Sequence, residues 1–155
     1  MSFQMKIGDE SRFTKTVGES DVYGFAGITG DLSPNHVNEA LMQSSPYGGR
    51  IAHGALMVGF MSTASTLACE RAMTRFTGGQ LPVSLGYDGV RFLKGVKIGD
   101  TITVVYRVKE IREEKRRSYA GIEVTNQHGE LVAVATHILQ WVTAEGMENT
   151  QREWA

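Results

Sequence analysis

One cysteine, three prolines and two tryptophans are all that this 155-residue sequence holds of those residue types. The lone Cys69 can close no internal disulfide, and a single thiol in an apolar stretch reads as a small core residue, so no secreted disulfide scaffold is expected. Charge of one sign is equally scarce. Sixteen Lys and Arg face seventeen Asp and Glu, a formal net charge of -1, which is not the electrostatic footprint of a nucleic-acid binder. The densest charge run, 109–117, interleaves Glu110, Glu113 and Glu114 with its bases and reads as a solvated hairpin tip. Long uninterrupted apolar runs are missing too. The longest, 51–69, is broken by His53, Ser62, Thr63, Ser65 and Thr66, which suits a buried helix and not a membrane span. The first twenty residues lack the basic start and apolar block of a signal peptide, so the cytoplasm is the expected compartment. There is no phosphate-binding loop and no His-x-x-x-His spacing, and no metal is expected.

What is present fits one domain over 1–155, with the polar tail 145–155, apart from Met147 and Trp154, expected to fray or dock on a partner subunit. A short strand at 13–17 precedes a helix at 22–28, capped by Ser20 or Asp21 and stopped by Gly30. Pro34 prevents that helix from continuing and leaves Asp31 on a loop. A second short helix is expected over 37–43, before the turn 44–49. From Ile51 to about Ala72 the apolar positions occupy nearly every face, which predicts a helix buried all round. Beyond it the period changes to two. Val83, Leu85, Tyr87, Val90 and Phe92, then Ile102, Val104, Tyr106 and Val108, then 118–125 and 131–142, read as a consecutive antiparallel meander with a turn at Gln127-His128-Gly129. Such a sheet after one buried helix predicts an α+β, hotdog-like fold, a curved sheet wrapped around that helix.

Two clusters carry chemistry. In Gly30-Asp31-Leu32-Ser33-Pro34-Asn35-His36, a loop turning at Pro34 can bring a carboxylate and an imidazole to one water, where the acid orients and the imidazole moves protons. Spacing alone favours the plainer reading, with Asp31 capping a helix or turn and His36 at the surface. In Gly48-Gly49-Arg50-Ile51-Ala52-His53-Gly54, the Gly54 amide falls in the first turn of the long helix, where donors lack intrahelical partners and the dipole is positive. It is a candidate oxyanion donor, or a glycine kept for close packing. His53 reads chiefly as a residue orienting this turn, with a third catalytic histidine as the alternative, and His128 and His137 read as structural.

Taken together, Phe25-Ala26-x-x-Thr29-Gly30-Asp31-x-Ser33-Pro34-x-His36, Ile51-Ala52-His53-Gly54, and the region from Arg91-Phe92-Leu93-Lys94 to Gly99-Asp100 resemble the MaoC-like (R)-specific enoyl-CoA hydratases over most of the chain. The resemblance reverses the preference for the plainer readings. It implies a hotdog homodimer, or a dimer of dimers, acting on an acyl-CoA or an acyl-carrier-protein thioester without a cofactor. Asp31 and His36 would activate water and the Gly54 amide would bind the thioester oxygen. His53, Ser62, Ser33 and Asn38 complete the candidate oxyanion and substrate-binding set. Ser62 matches a position bordering the site, although it could simply bond back to its own helix. Ser33 and Asn38 depart from the family, which usually has asparagine and often aspartate there. A hotdog thioesterase is the nearest alternative, but its water-directing carboxylate commonly comes from the central helix, and this helix has no acid between Gly54 and Cys69. A silent acyl-thioester-binding module is the other.

Overall fold

The computed structural model describes residues 5–74 and 80–143. The expected tail 145–155 lies outside them. Strand β1 (Glu10–Thr16) leads into α1 (Glu19–Thr29), two short helices α2 (Pro34–Val37) and α3 (Glu39–Gln43), and the long α4 (Gly54–Met73). Strands β2 (Gln80–Phe92), β3 (Thr101–Arg112), β4 (Arg117–Thr125) and β5 (Leu131–Thr143) follow, with a 3-10 turn at Glu113–Lys115 between β3 and β4. The charged run 109–117 is thus a hairpin end, closed by Arg116 in the left-handed region at φ 50°.

All five strands form one antiparallel sheet in the order β1-β3-β4-β5-β2. Only β3, β4 and β5 make a consecutive meander. β2 does not pair with β3 as the sequence pattern suggested; it crosses to the far edge and pairs with β5. The segment between them, through Val96 and the bridge from Ile51 to Lys97, carries the chain past the start of α4 instead of turning back on β2. Alternation sets the core side. Ile102, Val104, Tyr106 and Val108 of β3 and Ala120, Ile122 and Val124 of β4 are buried, as two-residue periodicity requires. Ala133, Ala135, Leu139 and Trp141 of β5 join them.

α4 fills the concave side, and Leu56, Met57, Phe60, Met61, Ala64, Ala68, Cys69 and Ala72 enter the same core as the strands. Ser11 on β1 donates to the Ala64 carbonyl at 2.6 Å, tying strand to helix with a buried bond. The wrapped-helix α+β architecture is therefore the one expected, with one correction to the helix. Its burial is one broad stripe. Ala55, Gly59, Ser62, Thr63 and Thr66 lie exposed on the opposite side, because residues this small leave a face that is neither strongly apolar nor covered by the chain itself.

The connecting region also departs from expectation in detail. α1 starts earlier than 22, at Glu19, and its N-cap is Gly18, whose amide is held at 2.8 Å by the Asp21 carboxylate reaching back. The single helix expected over 37–43 is two. Asn38, at φ -109°, ψ 93°, breaks it and caps α3 by accepting from the Leu41 amide at 3.0 Å. No helix among the described residues is long and apolar enough to cross a membrane.

Candidate active site

Helix α1 ends at Gly30, whose φ of 79° is the left-handed conformation that glycine takes without a Cβ penalty. The chain leaves at once into Asp31, as the Pro34 argument requires. Asp31 caps no helix: its amide is held by the Thr29 hydroxyl at 3.2 Å, and its Oδ1 accepts from the Ser33 amide at 3.2 Å. Two side chains therefore clamp a loop that would otherwise have no regular bonding. Pro34 occupies the first position of α2, where its missing N–H costs nothing. His36 follows within that single turn.

The Asp31 bond to the Ser33 amide caps the turn, as spacing alone suggests, but His36 is not at the surface as the same reading has it; it is 7% exposed. Its Nδ1 lies 2.7 Å from the Ile51 carbonyl. A carbonyl only accepts, so Nδ1 carries the proton and, in the neutral ring, Nε2 keeps its lone pair. The tautomer of this imidazole is thus set by main chain from the segment just before α4. His53 is 2% exposed and is fixed in the same way: its Nε2 donates to the Asp31 carbonyl at 2.9 Å. The two rings stack with centroids 3.7 Å apart, and Phe25 closes the other side of His53 at 4.8 Å. His53 Nδ1 is buried without a hydrogen-bond partner, an uncommon state for a buried polar atom.

One ligand-type atom from each of Asp31, His36 and His53 lies within 4.8 Å of the others, so residues from the α1–α2 loop, α2 and the start of α4 converge. Histidine and aspartate are metal-ligating types, but a shared ion needs in-plane lone pairs that converge. Stacked rings present faces to one another, so this geometry fits a chelate poorly.

A cavity of about 620 Å³ opens beside the cluster, lined by His36, His53, Gly54, Met57, Phe92 and Lys94 among others. Asp31 stands outside its wall and exposed. Gly54 is the first residue of α4, so its amide is one of the donors that lack a partner within the helix and sit at the positive end of the dipole. A Cβ there would fall 2.5 Å from Cδ2 of the Phe92 ring, so glycine lets that ring lie over the start of α4.

The remaining candidates divide. Ser33 belongs to the loop, donating its amide to Asp31 and its hydroxyl to Asn35 at 2.9 Å. Asn38 is spent on capping α3 and is not brought to the cavity. Ser62 faces a different, smaller cavity further along α4 and contacts the Tyr87 phenol. Sequence reasoning gave no role to Thr29, to the Ile51 carbonyl or to Arg50. The Arg50 guanidinium, 12% exposed, bonds Glu19 on α1 and Glu39 on α3 and approaches Tyr23, so it braces the helices on either side of the loop. Those carboxylates hold the guanidinium above its ordinary pKa, and Arg50 in turn holds Glu39 below the usual carboxylate range. A main-chain carbonyl leaves no signature in residue type, but an arginine directly before the Ile-Ala-His-Gly element could have been noticed.

The fold and site define a hotdog domain with an acid–imidazole pair beside the N-terminus of its central helix. Residues 2–130 match the family model described as "MaoC like domain". The chain belongs to that family. Among curated proteins it is 37% identical over 113 residues to an (R)-specific enoyl-CoA hydratase of Rhodospirillum rubrum, covering 72% of each chain. It is 35% identical over 115 residues to a 3-hydroxybutyryl-CoA dehydratase of Methylorubrum extorquens, covering 74% of this chain and 67% of that one. Among solved structures, an (R)-hydratase from A. caviae aligns with TM-score 0.77 at 22% identity, over 90% of this chain and 98% of that one. A fluoroacetyl-CoA-specific thioesterase shares the fold at TM-score 0.61 and 18% identity, over 97% of this chain and 98% of that one.

Proposed function

We propose that this protein catalyses the reversible hydration of a trans-2-enoyl-CoA to an (R)-3-hydroxyacyl-CoA, with Asp31 and His36 as the catalytic pair. The observation that carries the reading is the bond from His36 Nδ1 to the Ile51 carbonyl, which leaves the ring's lone pair on Nε2 in a residue that lines the same cavity as Gly54. Water held between Nε2 and the Asp31 carboxylate gives up a proton as its oxygen bonds to C3. The electron pair of the double bond moves to C2 and onto the thioester oxygen. The Gly54 amide and the dipole of α4 stabilise that developing enolate, and a proton returned to C2 completes the addition. Dehydration runs the same steps backward. The reaction is redox-neutral and its two proton transfers can be served by the pair, so no cofactor is invoked. The names of the two curated relatives, a hydratase and a dehydratase acting on CoA thioesters, support the same chemistry.

Thioester hydrolysis is the weaker reading. It needs a carboxylate to direct water at the carbonyl carbon, and α4 carries none between Gly54 and Cys69. Glu70 lines the second cavity, well along the helix.

The working unit in this reading is a homodimer. β2 ends the sheet with Leu81 and Val83 exposed, and the small-residue face of α4 beside it is uncovered; a second copy would cover both and remove an open edge.

The test follows the ultraviolet absorbance of the conjugated enoyl thioester with crotonyl-CoA, comparing wild type with His36→Ala and Asp31→Asn. Absorbance falls with wild type, and each variant loses ~10²- to 10⁴-fold in turnover. Free thiol released while the conjugation persists would move the assignment to a thioesterase. Turnover retained in both variants would remove the pair from the mechanism.

A further inference from the structure

Beyond the reacting carbons, the groove between α4 and β2 holds a second cavity of about 310 Å³, and its walls are unusual for one meant to hold a plain alkyl chain. It begins at Ser62, eight residues from Gly54 and so about 12 Å along the helix axis. The register of β2 on β5 places Tyr87 opposite His137 and Ser84 opposite Leu139, so β2 runs from this cavity at Ser84 to Phe92 beside Gly54. Cavities that take apolar ligands are lined by apolar side chains, with a few polar groups marking what must be recognised.

Here the polar groups form a chain. His137, 1% exposed, meets the Ser84 hydroxyl at Nε2 (2.8 Å) and the Tyr106 hydroxyl at Nδ1 (3.3 Å), and Tyr87 stacks on its face at 4.3 Å. Ser65 lies near the Tyr106 hydroxyl, and Ser62 near that of Tyr87. Burial pushes His137 down to about 4, so the ring is neutral near pH 7. A neutral imidazole has one donor and one acceptor nitrogen. Ser84 therefore either gives its proton to the ring or receives the ring proton and offers its own to the cavity. The pair can adapt to a donor or to an acceptor. Charge narrows the choice further, because the described residues of the wall include Glu70 and no lysine or arginine, which disfavours a carboxylate-tailed chain.

We propose that this cavity is a specificity subsite for acyl groups that carry an uncharged hydrogen-bonding substituent, a hydroxyl or oxo group, remote from the thioester, recognised by Ser84 backed by His137 together with Ser62. The inference rests on the hydratase reading, since it takes the thioester to lie at Gly54. Ser84 is an exposed strand residue, so Ser84→Ala removes the recognising hydroxyl without opening the core.

The test uses two medium-chain enoyl-CoA thioesters of equal length, one ending in a methyl and one in a hydroxyl group, beside crotonyl-CoA. The wild type prefers the hydroxylated chain in kcat/KM, and Ser84→Ala lowers that preference about five- to tenfold, the worth of one neutral hydrogen bond. Taking the ratio of the two chains within each enzyme cancels any effect on the shared catalytic steps. Crotonyl-CoA hydration with no preference in the wild type overturns the subsite and leaves the hydratase reading intact, and an unchanged ratio in Ser84→Ala overturns the role of that hydroxyl. Should no enoyl-CoA be hydrated, the hydratase reading falls, and calorimetric binding of the two acyl-CoAs decides the subsite: tighter binding of the hydroxylated one supports it, equal binding overturns it.

Discussion

His53 lies with its ring stacked on that of His36, centroids 3.7 Å apart, while its Nε2 holds the main-chain carbonyl of Asp31. One buried residue thus touches both members of the acid–imidazole pair without being one of them. His53→Phe keeps a flat ring in the stack and deletes the donor to Asp31. The expected result is a fall in kcat of about tenfold with KM little changed, since a bond of roughly 1 kcal/mol that positions the carboxylate loop is lost. An unaltered kcat in a folded His53→Phe protein would show that the loop holds Asp31 without it.

Gly54→Ala tests the access that glycine gives. The new Cβ would meet Phe92 ring atoms at 2.5–2.8 Å, and overlap of this kind commonly costs about 1–3 kcal/mol. Phe92 is 52% exposed at the end of β2, so its ring can swing aside and the fold survives. Activity suffers more than melting temperature. The double variant Gly54→Ala, Phe92→Ala relieves the clash, and recovery of part of the rate would separate steric displacement from loss of the amide; no recovery assigns the loss to the amide itself.

The pH dependence of stability follows from His137. Its folded value of about 4 lies below the ordinary 6.5, so between these two values the unfolded chain binds the proton first. This contribution is flat above pH 6.5, is lost as pH falls, and levels off below 4. Between pH 7 and pH 5 the loss is about 2 kcal/mol at roughly 1.4 kcal/mol per unit. Denaturant unfolding at the two pH values, wild type beside His137→Gln, measures it: the variant should lose about 2 kcal/mol less on acidification. Equal losses would mean that His137 titrates normally.

Gly59 stands on the uncovered face of α4, and a Cβ there meets nothing within 4 Å in the protomer. Gly59→Arg therefore keeps the fold, and arginine is the better helix former by somewhat under ~1 kcal/mol. Light scattering after size exclusion should show a dimer for the wild type and a monomer for the variant. A variant that remains dimeric places the interface elsewhere.

Most of the architecture was legible because it depends on periodicity. The two-residue alternation of Ile102, Val104, Tyr106 and Val108 marks a half-buried strand whatever its neighbours. Strand order is not encoded that way, so the crossing of β2 to pair with β5 could not be read. The break at Asn38 was legible in principle, since asparagine is a strong N-cap, but the apolar residues on both sides obscured it. In the site, spacing alone leaves Asp31, His36 and Gly54 with plainer readings, and the resemblance of the two motifs taken together is what singles them out. Asn38 and Ser62 came from matching positions, and the fold sends one to a helix cap and the other to the second cavity. The polar chain through His137, Ser84 and Tyr106 gave no signal, because its members lie 22 to 53 residues apart and meet only when four strands, β2, β5, β4 and β3, are in register.

Both imidazoles of the site are anchored to peptide carbonyls, those of Ile51 and Asp31. Drift in the amino acids that supply these anchors therefore leaves the anchors in place: a change such as Ile51→Val alters the packing but not the acceptor. On the proposed reading, the orientation of the His36 ring is inherited from the path of the chain, so substrate preference would be free to evolve along α4 and β2 while the chemistry at the helix end stays fixed.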